Sequence, residues 1–527
     1  MGMEGKSLQL IPYPASVQLL PDNFHLSPHT SIKADAASAP AAKFLREKLT
    51  LESGIDLVPA TGETNNIIRM RVLSSTAARE SYKLSIRSDS IEIISPDPAG
   101  CFYAVQTLLQ LIFQNREQKI LPCLMIEDTP RFHWRAFMLD EARHFQGIHE
   151  VKRILDNMAR FKMNIFHWHL TDDQGWRVEI KQYPRLVNVG SIRAGTAYSM
   201  DPQLHNQVQH SGYYTQSEIR GIVKYAAERH ITIVPEIEFP GHATAALAAY
   251  PENSCTGGPF EVATHWGVFS DIYCPSKGST FSFFQNVLSE IMNIFPGEYV
   301  HLGGDEAPMK RWQNCPHCLK KAADLGISIP DLQTWFTNRL VNLLRMNHKR
   351  VIGWSEVLRP GLDKEVILQH WLPRRGKAIT ALDEGREVIA SPYLDVYLDH
   401  TYNLISLKHL YEFNPVYPGI NSAREQNILG MEAPLWSEYI WDPRRLEYQL
   451  FPRLLACAET GWSPAHPKEY SEFKSRVKGI LPWLDMQQIR YAPPGEWNAP
   501  SYQRLAALFK IRQPKTRTSD GNLALPD

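Results

Sequence analysis

The chain predicts an α/β fold: a (β/α)8 TIM-type barrel over residues 131–490, preceded by a small α+β domain over residues 1–130 and followed by a tail over 491–527. Three observations carry this. At 527 residues the chain is too long for one ordinary core. From Arg135 onward, short apolar, β-branched runs alternate with stretches of helical periodicity. Eight such runs occur, and eight strands with helical crossovers close into a barrel more readily than they form an open sheet.

Taken in order, NNIIRMRVL and ESYKLSIRSDSIEIIS read as strands of the first domain, the second folding back at a polar turn over 88–90. Residues 37–51 and 104–113 read as helices. The segment IEDTPRFHWR, with Pro130, marks the junction. The barrel strands are then RAFMLD, MNIFHWHL, ITIVPEIE, YVHLGG, VIGWSE, VILQHW, DVYLDH and NILGMEAP. Helices are expected over 150–161, 218–228, 281–294, 332–347 and 377–384, and after the last strand over 446–459 and 470–484. The Pro-containing tail should be loosely ordered or draped on the surface.

Composition excludes several classes. With 56 basic and 56 acidic residues, no field favours nucleic acid or an anionic membrane. No run approaches the apolar length of a membrane span. The start, MGMEGKSLQLIPYP, lacks the basic and apolar regions of a signal peptide. The expectation is therefore either a cytoplasmic protein or an exported one whose signal is absent from this sequence.

The chemistry gathers around YVHLGGDEAP. Gly303 and Gly304 end a strand and turn the chain, and Asp305 and Glu306 follow side by side. Two neighbouring carboxylates in a confined site cannot both ionise freely, so one holds its proton and can act as a general acid. Taken alone, the pair is better read as the acidic start of a helix, with Asp305 its cap and Glu306 in its first turn. In a barrel, however, active sites lie where strands end. The other strand ends supply Arg143, Asp172 and Asp173, Glu238 and His242, Trp354 and Glu356, Trp371, Asp395, Tyr397 and Asp399, and Trp436 with Glu438. Carboxylates that accept hydroxyl hydrogen bonds, with indoles that cover C–H faces, suit a neutral polyhydroxylated ring.

Two other patterns compete. In HWH, His167 and His169 face the same way on a strand, a familiar metal pair of barrel hydrolases, and with Asp305 as a further ligand this would be a metal-dependent hydrolase or deacetylase. Further histidine ligands are scarce at other strand ends, so the expectation is a buried histidine that bonds Asp172, with no metal and no cofactor. CPHC at Cys315 and Cys318 has zinc-ligand spacing, but no second CxxC completes four ligands, and a thiol pair or local disulfide is expected instead. Cys255 and Cys274 bracket a long aperiodic loop that calls for a staple, and a disulfide there would contribute roughly 3 kcal/mol.

The ordered motifs RAFMLDEARHF, HWHLTDDQGW, PEIEFPGH, HLGGDE, IGWSE and GMEAPLWSE closely resemble those of family 20 glycoside hydrolases, the β-N-acetylhexosaminidases. ESYKLSIRSDSIEIIS and GCFYAVQTLLQL are similar to the accessory domain that precedes the barrel there. The resemblance implies an exo-acting, retaining, metal-free hydrolase of oligosaccharides or glycoconjugates that carry N-acetylhexosamine. In this class the substrate's 2-acetamido oxygen is the nucleophile.

Residue by residue, the resemblance makes Glu306 the acid–base and Asp305 the group that orients the acetamide, while Tyr397 donates to the acetamide oxygen. Arg143 is assigned the O3 and O4 hydroxyls, Glu438 takes O4 and O6, and Asp399 reaches O6. Trp436 lies under the ring, and Trp354 and Trp371 wall the acetamide. Asp172 and His242 support the acid–base pair. Glu238 departs from the family, where Asp is frequent, and its extra methylene is expected to alter a hydrogen bond to His242. The family's cysteine pairing in this region also implies a Cys255–Cys274 bond and an oxidising compartment. Alternatives are a disaccharide-releasing lacto-N-biosidase, a metal-dependent sugar deacetylase and a silent sugar-binding protein.

Overall fold

A computed structural model describes residues 8–60, 65–74, 76–197, 206–465, 469–500 and 502–505. Eight parallel strands close a barrel in the order Trp134–Asp140, Ile165–His169, Thr232–Glu236, Tyr299–His301, Arg350–Trp354, Ile367–His370, Val388–Ala390 and Ile428–Leu435, the last pairing with the first. Seven of these coincide with expected runs. The seventh does not: DVYLDH is no strand, and Val388–Ala390 takes its place. That strand is three residues long and buried, too short to register as a run. Pro392 precedes a single helical turn, Tyr393–Val396, so Tyr397 and Asp399 sit in the loop beyond the seventh strand and still reach the same rim.

Inside the barrel, side chains alternate inward at every second residue. The lower layer is apolar, built from Trp134, Ala136, Ile165, Val234, Ile352, Ile367 and Ile389. Above it the interior turns polar, with His167, His169, Glu236, His301, Gln369 and Glu432 all buried. Helices expected over 150–161, 218–228, 281–294, 332–347 and 377–384 appear as Ile148–Arg160, Gln216–Ala227, Gly278–Ile294, Asp331–Arg345 and Gly376–Asp383. The single helix expected over 446–459 is instead two, Pro443–Leu450 and Arg453–Trp462. Pro452 between them has no N–H to continue the ladder.

Before the barrel lies a seven-stranded mixed sheet, ordered Ser16–His25, Ile120–Asp128, Tyr82–Ile86, Ser90–Ser95, Ile67–Val72, Ser31–Ala34 and Val58–Pro59. The helix Pro98–Gln114 is buried from Gly100 to Phe113, because its exposed-looking face is covered by the barrel. Tyr103 on that helix packs edge-on against Trp462 at 5.1 Å. A buried charge pair seals the contact: Lys162 Nζ lies 2.9 Å from Asp128 Oδ2. Tyr82 and Trp462 also donate to that oxygen, at 2.6 and 3.0 Å. Such a pair costs much desolvation and is sustained by these extra donors.

Of the tail, residue 501 and residues 506–527 lie outside the described residues. The part nearer the barrel is packed: Trp497 is buried, and its carbonyl accepts from Leu407 N at 2.9 Å.

Candidate active site

The turn after Tyr299–His301 dictates the site. Gly303 and Gly304 have φ of +61° and +100°, and a Cβ on Gly303 would stand 1.8 Å from Glu238 Oε2. A Cβ on Gly304 would stand 2.2 Å from Val357 Cγ1. Only glycine fits either place. Beyond the turn, Glu306 is itself left-handed at φ +44°, as is His242 at +48°. Backbone strain of this kind gathers where side chains must be aimed.

Asp305 and Glu306 open onto a cavity of about 220 Å³ at the C-terminal rim. It is lined by Arg143, Asp172, Glu238, His242, Asp305, Glu306, Trp354, Trp371, Tyr397, Asp399, Trp436 and Glu438. The twelve residues to which the resemblance gives a role therefore meet there, whereas Asp173, Glu356 and Asp395, also offered by the strand ends, do not line it, and Asp395 instead meets His409 Nε2 at 2.8 Å.

A relay of charge runs along one wall. The Asp140 carboxylate accepts from the N–H groups of Ala142 and Arg143 at 2.9 and 3.1 Å, which folds the turn that presents Arg143. Arg143 then pairs with Asp172 at 2.8 Å and donates to Gln174 Oε1 at 2.9 Å. His242 Nδ1 is 3.2 Å from both Asp172 and Asp173. Its Nε2 faces Asp305 at 3.7 Å and Glu306 at 3.8 Å. Although burial opposes its charge, Asp172 holds the His242 imidazole protonated well above its usual range. Asp172 is itself buried, yet Arg143 and His242 keep it ionised.

Glu306 differs from its neighbours. Its side chain is 40% exposed at the mouth, but desolvation of its carboxyl lifts its pKa to about 7. The cation of His242 opposes that rise and the Asp305 carboxylate adds to it. Glu306 can therefore exchange protons with solvent and hold one near neutrality. Asp305 is buried, and its Oδ1 has no hydrogen-bond partner among the described residues.

Glu238 is pushed well above the carboxylate range, first by burial and then by Asp305 and Glu236, and so is a neutral acid beneath Gly303. No hydrogen bond joins it to His242; Nδ1 of that imidazole is taken by Asp172 and Asp173. At the far end, burial raises Asp399 and Glu438 each to about 7. Arg143 works against that rise at Glu438.

The aromatic walls are anchored by acids. Trp354 Nε1 donates to Glu236 Oε1 and Trp371 Nε1 to Glu356 Oε2, both at 2.8 Å. The Trp436 ring lies 5.9 Å from Trp354 and 6.3 Å from Tyr397. The Arg143 guanidinium stands 5.0 Å from the Trp436 ring.

Glu236 is the residue that sequence reasoning passed over. It joins Trp354, His169 and, at 2.7 Å, His301. The repeated acid in PEIE, two apart on a strand, was the available signal. The HWH pair is consumed in this layer. His169 bonds Asp172 at 2.9 Å, as expected, and its other nitrogen meets Glu236. His167 Nδ1 bonds Glu432 at 2.7 Å, and its Nε2 is 3.1 Å from Glu236.

The Cys255–Cys274 disulfide is not formed, and all seven cysteines are free. Cys318 stands beside both thiols, at 3.8 Å from Cys255 and 3.5 Å from Cys274. The inference to an oxidising compartment, which rested on that bond, loses its support.

A barrel whose rim carries adjacent acids, three indoles and a ring of hydroxyl acceptors is of the class of the glycosidases. Comparison with known proteins makes this specific. "Glycosyl hydrolase family 20, catalytic domain" matches residues 132–465, and "Glycosyl hydrolase family 20, domain 2" matches 7–129. The chain belongs to glycosyl hydrolase family 20.

It is 38% identical over 513 residues to a beta-hexosaminidase of Porphyromonas gingivalis, aligning 93% of this chain but only 65% of that relative. To the beta-hexosaminidase of Vibrio furnissii it is 32% identical, covering 87% of this chain and 77% of the relative. The exo beta-N-acetylglucosaminidase of Vibrio harveyi, solved with N-acetylglucosamine, superposes with a TM-score of 0.83 at 31% identity, over 92% of this chain and 78% of that one. The N-acetyl-beta-hexosaminidase of Streptomyces plicatus gives 0.81 at 32%, over 93% and 98%. Among the described residues no helix is long and apolar enough to cross a membrane.

Proposed function

We propose that this chain is an exo-acting, retaining β-N-acetylhexosaminidase that removes terminal β-linked GlcNAc or GalNAc with the substrate's own amide as nucleophile. The observation that carries the reading is the contrast within one acid pair. Glu306 holds a proton at the pocket mouth, while Asp305 presents an unpartnered oxygen inside it. The names of the aligned relatives support the same activity.

In this reading Asp305 accepts from the acetamide N–H and Tyr397 donates to its carbonyl oxygen, which aims that oxygen at the anomeric carbon. Positioning an internal nucleophile is worth on the order of 7 kcal/mol in favourable cases. As the oxygen attacks, Glu306 passes its proton to the departing glycosidic oxygen. The positive charge that develops on the amide nitrogen meets the Asp305 carboxylate. Glu306, now ionised, takes a proton from water as it opens the oxazolinium ring on the same face, so configuration is retained. Trp436 carries the apolar face of the ring, and Arg143, Asp399 and Glu438 receive its hydroxyls. Trp354 and Trp371 enclose the acetamide methyl.

The test is product identity. An aryl β-N-acetylglucosaminide should yield free N-acetylglucosamine, with an aryl β-glucoside untouched. Acetate released from an intact glycoside, or equal rates on the two, would refute the proposal.

A further inference from the structure

We propose that Cys255, Cys274, Cys315 and Cys318 form a structural tetrathiolate site for one zinc ion, independent of the sugar chemistry. The four sulfurs lie within 4.8 Å of one another. Two of their separations, 3.5 and 3.8 Å, are far beyond a disulfide's length of about 2.05 Å. A tetrahedron with zinc–sulfur bonds of about 2.3 Å has sulfur–sulfur edges of about 3.8 Å, which these distances match. A lone buried cysteine is an ordinary small apolar side chain. Here four converge from separate parts of the chain, with Cys274, Cys315 and Cys318 buried and Cys255 at the edge.

Local structure favours thiolates. Cys315 is the N-cap of the helix Pro316–Leu325, and Cys318 lies in its first turn, where the helix dipole stabilises negative charge. Ile272, Trp312, Ala322 and Leu332 pack around the sulfurs. An all-sulfur tetrahedral donor set selects zinc or iron, and a site with a purely bracing task suits the redox-inert ion. Binding releases up to four protons as the thiols become ligands.

The ion would clamp together two stretches that build the active site. Cys255 and Cys274 end the loop that follows the third barrel strand, and Cys315 and Cys318 begin Pro316–Leu325, the second helix after the Asp305–Glu306 turn. The loop reaches the pocket wall: the His265 carbonyl accepts from Gln174 Nε2 at 2.9 Å, and Gln174 holds Arg143. The Trp312 indole donates to the Tyr273 carbonyl at 2.9 Å beside the cluster.

The full chain, purified without added chelator, should contain one zinc per molecule by inductively coupled plasma mass spectrometry. A mercurial thiol reagent should release that zinc in step with the titration of four thiols. Cobalt exchanged into the site should give the sulfur-to-metal charge-transfer absorption of a tetrahedral thiolate centre. The double variant Cys315→Ser/Cys318→Ser should retain under one-tenth of the zinc and melt several degrees lower, whereas Cys101→Ser should keep its zinc. Should the double variant not fold, metal content and thiol titration of the unaltered chain still decide. Less than a tenth of an equivalent of zinc, one equivalent of iron in its place, or an intact mass that reveals disulfides among these four cysteines would overturn the assignment.

Discussion

Replacing Glu306 with Gln removes the proton and preserves the shape. The structure sets both the size and the pH dependence of the loss. Burial raises Glu306 to about 7 from the ordinary glutamate range, so the protonated form that the proposal requires dominates below that pH and is lost above it. One unit above the pKa roughly a tenth of the enzyme still carries the proton, and two units above roughly a hundredth. Asp399 and Glu438 titrate in the same region and blur a single profile. Dividing the kcat/KM of the unaltered enzyme by that of the Glu306→Gln variant cancels them. For an alkyl glycoside, whose leaving group needs the proton, that ratio should be about 10²–10⁴ at pH 6 and should fall about tenfold per unit above pH 7. For a dinitrophenyl glycoside, whose leaving group departs unaided, it should shrink to within about tenfold. A ratio that stays flat from pH 6 to 9, or an alkyl-glycoside ratio below ten at pH 6, would refute the assignment of the acid.

Other consequences are testable alongside. Asp305→Asn should slow turnover of N-acetyl substrates by about 10²–10³-fold while product still binds, as read by steady-state kinetics and calorimetry; near-normal turnover would count against the amide's participation. His242→Gln removes a cation that holds the Glu306 pKa down, so the alkaline limb should move to higher pH, and a shift to lower pH would contradict the relay. Gly303→Ala drives a methyl into the Glu238 carboxyl and should lower the thermal midpoint by several degrees, whereas an unchanged midpoint would deny the close approach. Asp128→Ala strands the Lys162 ammonium in the interface and should cost about 3–5 kcal/mol in denaturant unfolding, against no change if the pair is idle.

What the sequence disclosed followed from local chemistry. The Gly303–Gly304 turn alone pointed to a helix cap at Asp305 and Glu306, and only the acids and indoles at the other strand ends argued that the pair was aimed at a site. Strand ends delivered Arg143, Trp354, Trp371 and Trp436 to one rim because barrel strands all point the same way. Tyr397 and Asp399 reached the pocket even though their segment was mistaken for a strand, since the loop beyond Val388–Ala390 opens onto the same face. The parts that stayed hidden depend on contacts between distant segments. The repeated acid in PEIE hinted at Glu236, but the three histidines and the indole that converge on it come from other segments. CPHC lacks a partner motif, and only folding brings Cys255 and Cys274 to it. The break at Pro452 was legible and overlooked; the burial of Trp497 depends on the barrel surface it meets.

The central claim is that the sugar's own amide attacks. Its most direct measurement compares kcat/KM for one aryl glycoside bearing N-acetyl, N-fluoroacetyl, N-difluoroacetyl and N-trifluoroacetyl groups. Each fluorine weakens the carbonyl oxygen as a nucleophile, so the rate should fall steeply and monotonically along the series, by orders of magnitude overall. Rates independent of fluorination would mean that some other atom performs the displacement.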